Sequence, residues 1–458
     1  MIDVDFASPF LTQDDLDRLC LRDDRDEAIT YGALRDRAAD YSTAMAGSKS
    51  LVFLYARNDI ASVAALLGAF AAGHAVALLD PELSTEPREA LTARYRPEWV
   101  VGAEASGELD RRQGGGGEVN PALALLLSTS GSTGSPKFVR LSLEALESNA
   151  RAIASTLEIA SEDVAAAHLP IHYSFGLSVL TSHLIAGASL RLTESGFTDR
   201  GFWSAMKEAS VTHLPGVPFH FQMMQKLRYE RLGLTQLKCL AQAGGHLDVG
   251  ARRAAHDFMN ARGGRFYVMY GQTEASPRLT TLPHAQFLEA PASVGVALPG
   301  GLLEIVNPDE RGQGEVVYHG PNVMLGYAEE RADLARGDDN RGRLETGDIG
   351  YLDEAGRLTL MGRSKRFGKV YGLRVNLDEV EKLTNELCES VVTQKADVLR
   401  IHYVASDADR SLEQALVDRL SARYRIPVMG YEIRPIGTIP RSERGKIDYK
   451  AVESLQHD

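Results

Sequence analysis

The sequence predicts an α/β protein in which a large N-terminal domain of mostly parallel α/β sheets carries a small antiparallel β unit. A smaller α+β domain follows it. Up to about residue 110, apolar runs such as Leu51–Tyr55 and Val76–Leu79 alternate with helical patterns such as Ala61–Ala72. This alternation is typical of a mostly parallel sheet with helices on both faces. From about residue 295 to 361, short strands separated by turn residues indicate the β unit.

The domain organisation predicted from these patterns is residues 1–363 followed by residues 364–458. A chain of 458 residues is too long for a single hydrophobic core. The segment Ser364–Arg366 is polar and charged, as a hinge would be. Beyond it, a helical pattern at Leu377–Leu387 and an apolar run at Val391–Lys395 predict the second, α+β domain.

Composition excludes several classes of function. The net charge of −12 argues against non-specific binding to nucleic acid or to an anionic membrane surface. Cys20, Cys239 and Cys388 lie far apart, so we expect buried or free thiols in a reducing compartment and no disulfide framework or zinc site. The first residues lack the basic and apolar regions of a signal peptide, and no stretch is apolar enough to insert into a membrane. These features predict a cytoplasmic protein.

A loop rich in glycine and hydroxyl groups follows the apolar run Ala122–Leu127, which predicts a buried strand. It comprises Ser128, Thr129, Ser130, Gly131, Ser132, Thr133, Gly134, Ser135, Pro136 and Lys137. Glycines let backbone N–H groups approach an anion, and a lysine adds a charge suited to phosphate oxygens. It is not a Walker loop, because Lys137 lies between Pro136 and Phe138. The alternative to a phosphate-binding loop is a flexible surface turn.

A second polar segment follows the predicted strand Arg265–Met269. It reads Tyr270, Gly271, Gln272, Thr273 and Glu274. A glutamate directly after a strand lies at the carboxyl edge of the sheet, where open α/β folds bind ligands. Glu274 is suited to Mg²⁺, which prefers a few carboxylates together with ligand phosphates. The aromatic ring of Tyr270 is suited to stacking on a base.

Further segments contain charged side chains or paired glycines that are suited to binding a nucleotide. Asp348, in Thr346-Gly347-Asp348, could accept both hydroxyls of a ribose, and Arg363 could hold phosphate or ribose oxygens. Gly244 and Gly245 form a bare backbone that could lie flat against a planar ring. Lys446 follows a glycine near the C-terminus. As isolated residues, all of these charges would be ordinary solvated surface groups.

Taken together, these segments resemble the motifs of the adenylate-forming superfamily, which contains acyl-CoA synthetases, adenylation domains of nonribosomal peptide synthetases and firefly luciferase. The resemblance covers roughly residues 29 to 450. The matching motifs are the loop at 128–137, Y-G-Q-T-E at 270–274, T-G-D at 346–348, G-R at 362–363 and the P-R-x-x-x-G-K segment that ends at Lys446. One departure is Phe138, where the family usually has glycine.

The resemblance implies a two-step activation of a carboxylic acid. The acid attacks the α-phosphorus of Mg·ATP, pyrophosphate leaves, and a thiol then takes the acyl group from the adenylate. ATP and Mg²⁺ are the implied cofactors. The implied partners are a carboxylic acid and either CoA or the phosphopantetheine of a carrier protein. Between the two steps the C-terminal domain, residues 364–458, is expected to move as a lid about the hinge at Lys365.

The roles implied for individual residues fall into four groups. Catalytic residues would be Lys446, Glu274 and Thr133, with Glu274 also the metal ligand. Nucleotide-binding residues would be Thr129, Ser130, Gly131, Ser132, Gly134, Lys137, Gly244, Gly245, Tyr270, Gly271, Gln272, Thr273, Asp348 and Arg363. The acyl pocket would comprise His172, Tyr173, Gly176, Leu177, Leu180, Met269 and Arg278. The hinge and thiol tunnel would comprise Lys365, Gly372, Leu373 and Arg374.

The acyl pocket gives a hypothesis about the substrate. Amino-acid-activating members carry an aspartate that pairs with the α-ammonium of the substrate, and here Gly176 stands at that position. A buried ammonium without a partner is costly, so an acid lacking an α-amino group is favoured. Arg278 either lines this pocket and meets a second anionic or polar group, or is an exposed surface arginine.

Three functions remain open at this stage. The first is an acyl-CoA synthetase, and the second is a ligase that loads a carrier protein. The third is a non-catalytic nucleotide-binding module, against which the presence of Lys446 and Glu274 argues. The segment Gly314–Tyr327 also matches a motif of the superfamily, and we assign it to the packing and turns of the β unit.

Overall fold

The structure is a computed structural model that describes residues 8–11, 15–113, 116–128, 137–363, 366–370, 373–395, 398–424, 426–441 and 447–455, without the side chains of residues 367–369, 373 and 374. The chain forms two compact units. The first unit comprises Met1–Glu304, Tyr318–Leu344 and Glu354–Arg357. The second comprises Ile305–Val317, Glu345–Asp353 and Leu358–Asp458. The predicted domain boundary after residue 363 stays a prediction.

Strands and helices alternate along much of the chain up to residue 297. The first part of the chain forms β1 (Leu19–Arg22), β2 (Ala28–Thr30), α1 (Tyr31–Ala44), β3 (Leu51–Tyr55), α2 (Ile60–Ala71), β4 (Ala75–Leu79), α3 (Thr85–Tyr95), β5 (Trp99–Val101), β6 (Leu109–Arg111), β7 (Leu123–Ser128), β8 (Phe138–Ser142) and α4 (Leu143–Thr156). It is followed by β9 (Val164–Ala167), α5 (Ser174–Ile185), β10 (Ser189–Leu192), α6 (Arg200–Glu208), β11 (His213–Gly216), α7 (Pro218–Leu227), β12 (Cys239–Gln242), α8 (Val249–Asn260), β13 (Arg265–Gly271), β14 (Arg278–Leu282) and β15 (Val296–Ala297).

The remaining elements run from residue 302 to residue 453. They are β16 (Leu302–Val306), β17 (Gly314–His319), β18 (Gly326–Ala328), β19 (Arg343–Leu352), β20 (Leu358–Arg363), β21 (Phe367–Val370), β22 (Leu373–Asn376), α9 (Leu377–Asn385), β23 (Ser390–Lys395), β24 (Val398–Val404), α10 (Arg410–Tyr424), β25 (Tyr431–Ile436) and α11 (Tyr449–Glu453).

Two large sheets organise the first unit. In the described part of the chain one sheet has the order β18-β8-β7-β4-β3-β5-β6, and the other has the order β15-β14-β13-β12-β11-β9-β10-β1-β2. The inner pairs β3/β4 and β4/β7 are parallel, as are β11/β12 and β12/β13. Toward one end of each sheet the pairing is antiparallel, between β7 and β8, β8 and β18, and β13 and β14. The predicted mixed, mainly parallel α/β fold is thereby confirmed.

Apolar sequence explains why these inner strands form. Every residue of β3 and β4 is buried, as expected for strands covered on both faces. Helix α2 begins where the Asp59 side chain accepts the backbone N–H of Ser62, and almost its whole surface is buried. It packs closely on α1 at Gly68, where a Cβ would lie 2.5 Å from the carbonyl oxygen of Ala38.

The second unit contains a small three-stranded sheet, β23-β24-β25, among its described residues. Its core includes Val380 of α9, Val392, Ile401 and Leu416 of α10. Strands β19 and β20 form an antiparallel pair and belong to a four-stranded sheet of order β16-β17-β19-β20, which corresponds to the predicted β unit.

Two compositional predictions concern the whole chain. Cys20, Cys239 and Cys388 are free thiols, as expected. Within the residues that the structure describes, each helix is too short or too polar to cross a membrane.

Candidate active site

The two described ends of the predicted phosphate loop lie side by side. Strand β7 ends at Ser128 and β8 begins at Phe138, and these two residues are paired in the antiparallel ladder. The loop therefore begins at the carboxyl end of a strand in the mainly parallel sheet, which is where such sheets bind ligands. Its predicted phosphate-binding residues Thr129, Ser130, Gly131, Ser132, Thr133 and Gly134 lie outside the described residues.

Lys137 is described, and its ammonium group lies over an aromatic ring. The Lys137 Nζ is 3.7 Å from the centroid of the Tyr327 ring, a cation–π contact. Tyr327 belongs to the edge strand β18, where it is paired with Val139 of β8. The ring thus limits the positions that the lysine can take beside the loop.

The same tyrosine also contacts Glu274. The Tyr327 hydroxyl donates a hydrogen bond of 2.9 Å to Glu274 Oε1. Burial, together with the neighbouring Glu274 carboxylate, raises the pKa of Tyr327, so the hydroxyl stays protonated and remains a donor. The structure therefore joins Lys137, Tyr327 and Glu274 in one cluster. The sequence assigns the segment Gly314–Tyr327 to packing and turns alone, so it misses Tyr327.

A buried arginine holds the strand that carries Tyr327. Arg140, on β8, donates through Nε to the Tyr327 carbonyl at 3.2 Å and through Nη1 to the Arg336 carbonyl at 2.6 Å. Its Nη2 donates to Asp339 Oδ2 at 2.7 Å. The side chain is fully buried, and it ties the strand after the phosphate loop to the strand beneath Lys137.

The Y-G-Q-T-E segment comprises the last two residues of β13 and a tight bend after it. At Gly271 a Cβ would lie 2.0 Å from the carbonyl oxygen of Pro277, so only glycine fits there. The Gln272 side chain donates to the Tyr270 hydroxyl at 3.2 Å. The hydroxyls of Thr273 and Ser174 lie 3.2 Å apart, which connects the bend to the start of α5.

One of the predicted aromatic residues, Tyr173, lies beside the predicted glycine pair. Gly244 has φ +80°, and a Cβ there would lie 3.0 Å from the Tyr173 hydroxyl. A Cβ on Gly245 would lie 3.1 Å from Pro218 Cγ. His172 Nδ1 is 3.3 Å from the Ala56 carbonyl oxygen. Glycine at 244 thus allows the backbone to approach Tyr173 closely.

In the second unit, Asp348 and Arg363 are brought together. They are paired across β19 and β20, and Arg363 Nε lies 3.3 Å from Asp348 Oδ1. The Asp348 backbone N–H donates to the Thr346 hydroxyl, which donates to the Val316 carbonyl at 2.7 Å. The Asp348 side chain is 8% exposed and the Arg363 side chain 67% exposed. The Thr346 side chain therefore fixes the backbone at Asp348, whose carboxylate is buried, while the arginine is largely hydrated.

Comparisons with known proteins indicate the family and the reaction class of the chain. The family model for AMP-binding enzymes matches residues 117–328. The chain is 25% identical to the 2-succinylbenzoate–CoA ligase of Staphylococcus epidermidis over 456 residues, which covers 93% of each protein. The predicted resemblance to the adenylate-forming superfamily is thereby confirmed. The predicted enzyme class, an AMP-forming acid–thiol ligase, is confirmed with it.

Two solved structures are similar to this adenylate-forming enzyme. ATP-bound MatB from Rhodopseudomonas palustris has a TM-score of 0.78 at 21% identity, covering 98% of this chain and 97% of that one, and shares its fold. VinN in complex with L-aspartate has a TM-score of 0.63 at 26% identity, covering 75% of this chain and 94% of that one.

Only some of the predicted acyl-pocket residues line a common cavity. A cavity of about 20 Å³ lies among α4, α5 and strands β11 to β14, and its lining includes Met269, Arg278 and Phe175. Gly176, Leu177 and Leu180 lie on the other faces of α5, because the lining face of that helix carries residues 175, 178, 179 and 182. Arg278 is 2% exposed, which excludes the alternative of a surface arginine.

Gly176 has a steric role that the sequence did not reveal. A Cβ at this position would lie 2.2 Å from the Pro170 carbonyl oxygen and 2.5 Å from that of Leu169. No side chain fits there without a shift of the backbone. The glycine therefore allows α5 to pack against the preceding turn, and its lack of a carboxylate does not by itself indicate the substrate.

Several predicted residues lie outside the described part of the enzyme. They are Lys365, Gly372 and Lys446. Leu373 and Arg374 belong to β22, where their side chains are not described. The predicted roles of these residues in the hinge, the thiol tunnel and catalysis stay predictions.

Proposed function

We propose that this enzyme converts a carboxylic acid without an α-amino group to an acyl-adenylate and then transfers the acyl group to the thiol of CoA. The main support for this function is the cluster of Lys137, Tyr327 and Glu274 beside the ends of the phosphate loop. A cation and a carboxylate at that place suit the two partners of a metal–nucleotide complex, the phosphates and the metal ion. CoA is favoured as acceptor because the relative that matches over 93% of this chain is named a CoA ligase.

In the first step, a carboxylate oxygen of the acid forms a bond to the α-phosphorus of ATP. The bond between the α-phosphorus and the bridging oxygen breaks, and pyrophosphate leaves with the electron pair. Like charges approach one another, so positioning and fixed cations lower the barrier. Lys137 would bind the β- and γ-phosphates, with its position limited by the Tyr327 ring.

Glu274 is the proposed ligand for Mg²⁺. Among the described residues, no group of three or more His, Cys, Asp and Glu side chains is placed to hold a metal ion. This fits Mg²⁺ in nucleotide sites, which is held by one or two carboxylates together with the phosphates. Bound there, the ion would offset phosphate charge, and the Tyr327 hydrogen bond would orient the carboxylate.

Asp348 is proposed to bind the ribose hydroxyls, and its substitution gives a prediction. Asp348→Ala should raise the KM for ATP roughly ten- to a hundredfold, because hydrogen bonds to a charged group contribute about 1.5–3 kcal/mol. Folding should change little, since the partner Arg363 is largely hydrated. The measurement is the ATP dependence of pyrophosphate release.

Asp409→Ala is the matched control for this prediction. Asp409 is an exposed carboxylate of the same unit that accepts the backbone N–H of Leu412 at the start of α10. Its loss should lower the melting temperature slightly and leave the KM for ATP unchanged. An unchanged KM in Asp348→Ala would make the ribose assignment wrong.

The substrate class gives a second prediction. Of the described residues that line the cavity, none is Asp or Glu, and Arg278 adds a positive charge, so an ammonium there would be both unpaired and repelled. In matched pairs of acids with and without an α-amino group, we expect the acid without it to drive faster pyrophosphate release. Gly176→Asp, an obvious electrostatic test from sequence, is unsuitable because its side chain has no room.

Amino-acid activation is the second candidate for this site. It is favoured by the likeness to VinN, which was solved with L-aspartate, at 26% identity. Preference for the aminated member in most pairs would replace our proposal by this one. The acceptor is tested in the same assay by adding CoA or a holo carrier protein after adenylate formation. Pyrophosphate release with none of the acids would favour a non-catalytic nucleotide-binding module.

A further inference from the structure

The cavity between α4, α5 and the strands β11 to β14 is lined by one charged residue, Arg278. Its volume of about 20 Å³ accommodates one water-sized group. Much of the lining is apolar, as at Leu157, Phe175 and Met269. The polar lining residues on which the inference depends are Arg278 and two histidines, His183 and His213. A space of this size suits the end of an acyl chain rather than a whole substrate.

Arg278 is a buried cation that lacks a complete set of partners. Its Nε is buried without a hydrogen-bond acceptor in the described part of the protein. Burial lowers the pKa of Arg278 to about 10, which still leaves the guanidinium charged at neutral pH. It lies 5.0 Å from the centroid of the Phe175 ring, which offsets only part of the desolvation.

The backbone of Arg278 is fixed by two asparagines. Asn149 donates to the Arg278 carbonyl at 2.9 Å and accepts its N–H at 3.2 Å. Asn322 donates to the same carbonyl at 2.9 Å. The start of β14 is therefore held in place, and the guanidinium is desolvated and positioned before any ligand binds.

The two histidines add polar atoms to the same cavity. His183 Nε2 and His213 Nε2 are both buried without a partner among the described residues. His183 Nδ1 lies 2.8 Å from the Val179 carbonyl, so this nitrogen carries the proton and Nε2 is an acceptor in the neutral ring. Burial lowers the pKa of His183 to about 4 and that of His213 to about 3, so both rings are neutral at pH 7.

We infer that the acid activated by this enzyme carries a second carboxylate at the far end of its acyl chain, and that Arg278 binds it. The inference rests on the proposed function, since it assigns the cavity to the acyl chain. A carboxylate supplies the negative charge that no described lining residue supplies. Because Arg278 is already desolvated, the attraction is opposed only by the desolvation of the ligand.

A hydroxyl or amide group is the competing terminus. Its oxygen would accept from Arg278, and its hydrogen would be donated to an imidazole Nε2. In such bonds at most one partner, the guanidinium, is ionised. A carboxylate is ionised as well, so its bond to the guanidinium is reinforced by direct attraction between opposite charges. The charge of Arg278 therefore favours the carboxylate.

The experiment compares acids of equal chain length that end in methyl, hydroxyl, carboxylate or ammonium, over a series of lengths. Pyrophosphate release is measured with wild-type enzyme and with Arg278→Met and Arg278→Lys. In the wild type we expect kcat/KM for the diacid to exceed that for the monoacid roughly ten- to a hundredfold. Arg278→Met should lose this preference, and Arg278→Lys, which keeps the charge, should retain part of it.

Arg252→Met is the matched control. Arg252 is also a buried arginine, with its pKa lowered by burial to about 10, but it donates to the carbonyls of Leu247 at 2.7 Å and Ser293 at 3.0 Å. Its substitution should lower the melting temperature and leave the acid preference unchanged. Arg278→Met removes a charge with an unsatisfied Nε, so it should keep or raise the melting temperature.

The outcomes separate this inference from the proposed function. Equal use of monoacid and diacid by the wild type would overturn the second carboxylate while leaving acid activation intact. Preference for the hydroxy acid would also overturn it and would assign specificity to the imidazoles. If no acid released pyrophosphate, the proposed function would fail, and thermal stabilisation would decide the inference. Stabilisation of wild type but not of Arg278→Met by the diacid would then support the site, and equal shifts would reject it.

Discussion

Replacing Lys446 with alanine is expected to abolish adenylate formation while leaving thioester formation from a supplied acyl-adenylate largely intact. The resemblance to the adenylate-forming superfamily implies that this lysine enters the site for the first half-reaction and leaves it when the C-terminal domain rotates. It would offset the charge that develops between the attacking carboxylate and the α-phosphate. Loss of one preorganised group of this kind typically lowers kcat about a hundred- to a thousandfold.

The two half-reactions are measured separately. Pyrophosphate release reports the first, and transfer of a synthetic acyl-adenylate to CoA reports the second. Lys450→Ala is the control, since Lys450 is an exposed lysine of α11 close to Lys446 in the chain. It should change neither rate. A similar loss of both half-reactions in Lys446→Ala would contradict the role assigned to the lysine.

Much of the fold follows from local sequence. The apolar runs at β3 and β4 predict strands that are buried on both faces, and the structure has them fully buried in parallel pairs. The positions of Glu274 and of the phosphate loop after strands also follow, because strand ends can be identified from where an apolar run stops.

The parts that could not be predicted depend on contacts between distant segments. Tyr327 touches Lys137 and Glu274 only because β18 pairs with β8, and nothing local to residue 327 indicates that pairing. Arg140 looks like a surface residue of a strand, yet its acceptors come from residues far along the chain.

The acyl pocket also depends on contacts between distant segments, which the sequence does not predict. Gly176 aligns with a substrate-binding aspartate in sequence, but the carbonyls of Leu169 and Pro170 occupy the space of any side chain. His183 and His213 lie on a helix and on a strand, and only the fold brings their rings to 5.3 Å. Sequence could place Arg278 near the pocket, but its burial without an acceptor at Nε among the described residues is a property of the packing.

Glu274→Gln and Tyr327→Phe are expected to separate the charge of the glutamate from its orientation. Glutamine keeps an oxygen that accepts the Tyr327 hydrogen bond and removes the negative charge. Mg²⁺-dependent turnover should therefore fall roughly ten- to a hundredfold, as expected for the loss of a charged partner. The Mg²⁺ concentration at half-maximal rate should rise as well.

Tyr327→Phe removes the hydrogen-bond donor and keeps the charge of the glutamate. The ring stays beneath Lys137, while the hydrogen bond to Glu274 is lost. A hydrogen bond to a charged group contributes about 1.5–3 kcal/mol, so turnover should fall roughly tenfold or more. The Mg²⁺ requirement should rise less than in Glu274→Gln, because the charge of the glutamate remains. Mg²⁺ titrations at saturating ATP measure both variants. If Glu274→Gln kept the wild-type Mg²⁺ requirement and turnover, the carboxylate would not hold the metal, and Tyr327 would serve only to pack β18 against Lys137.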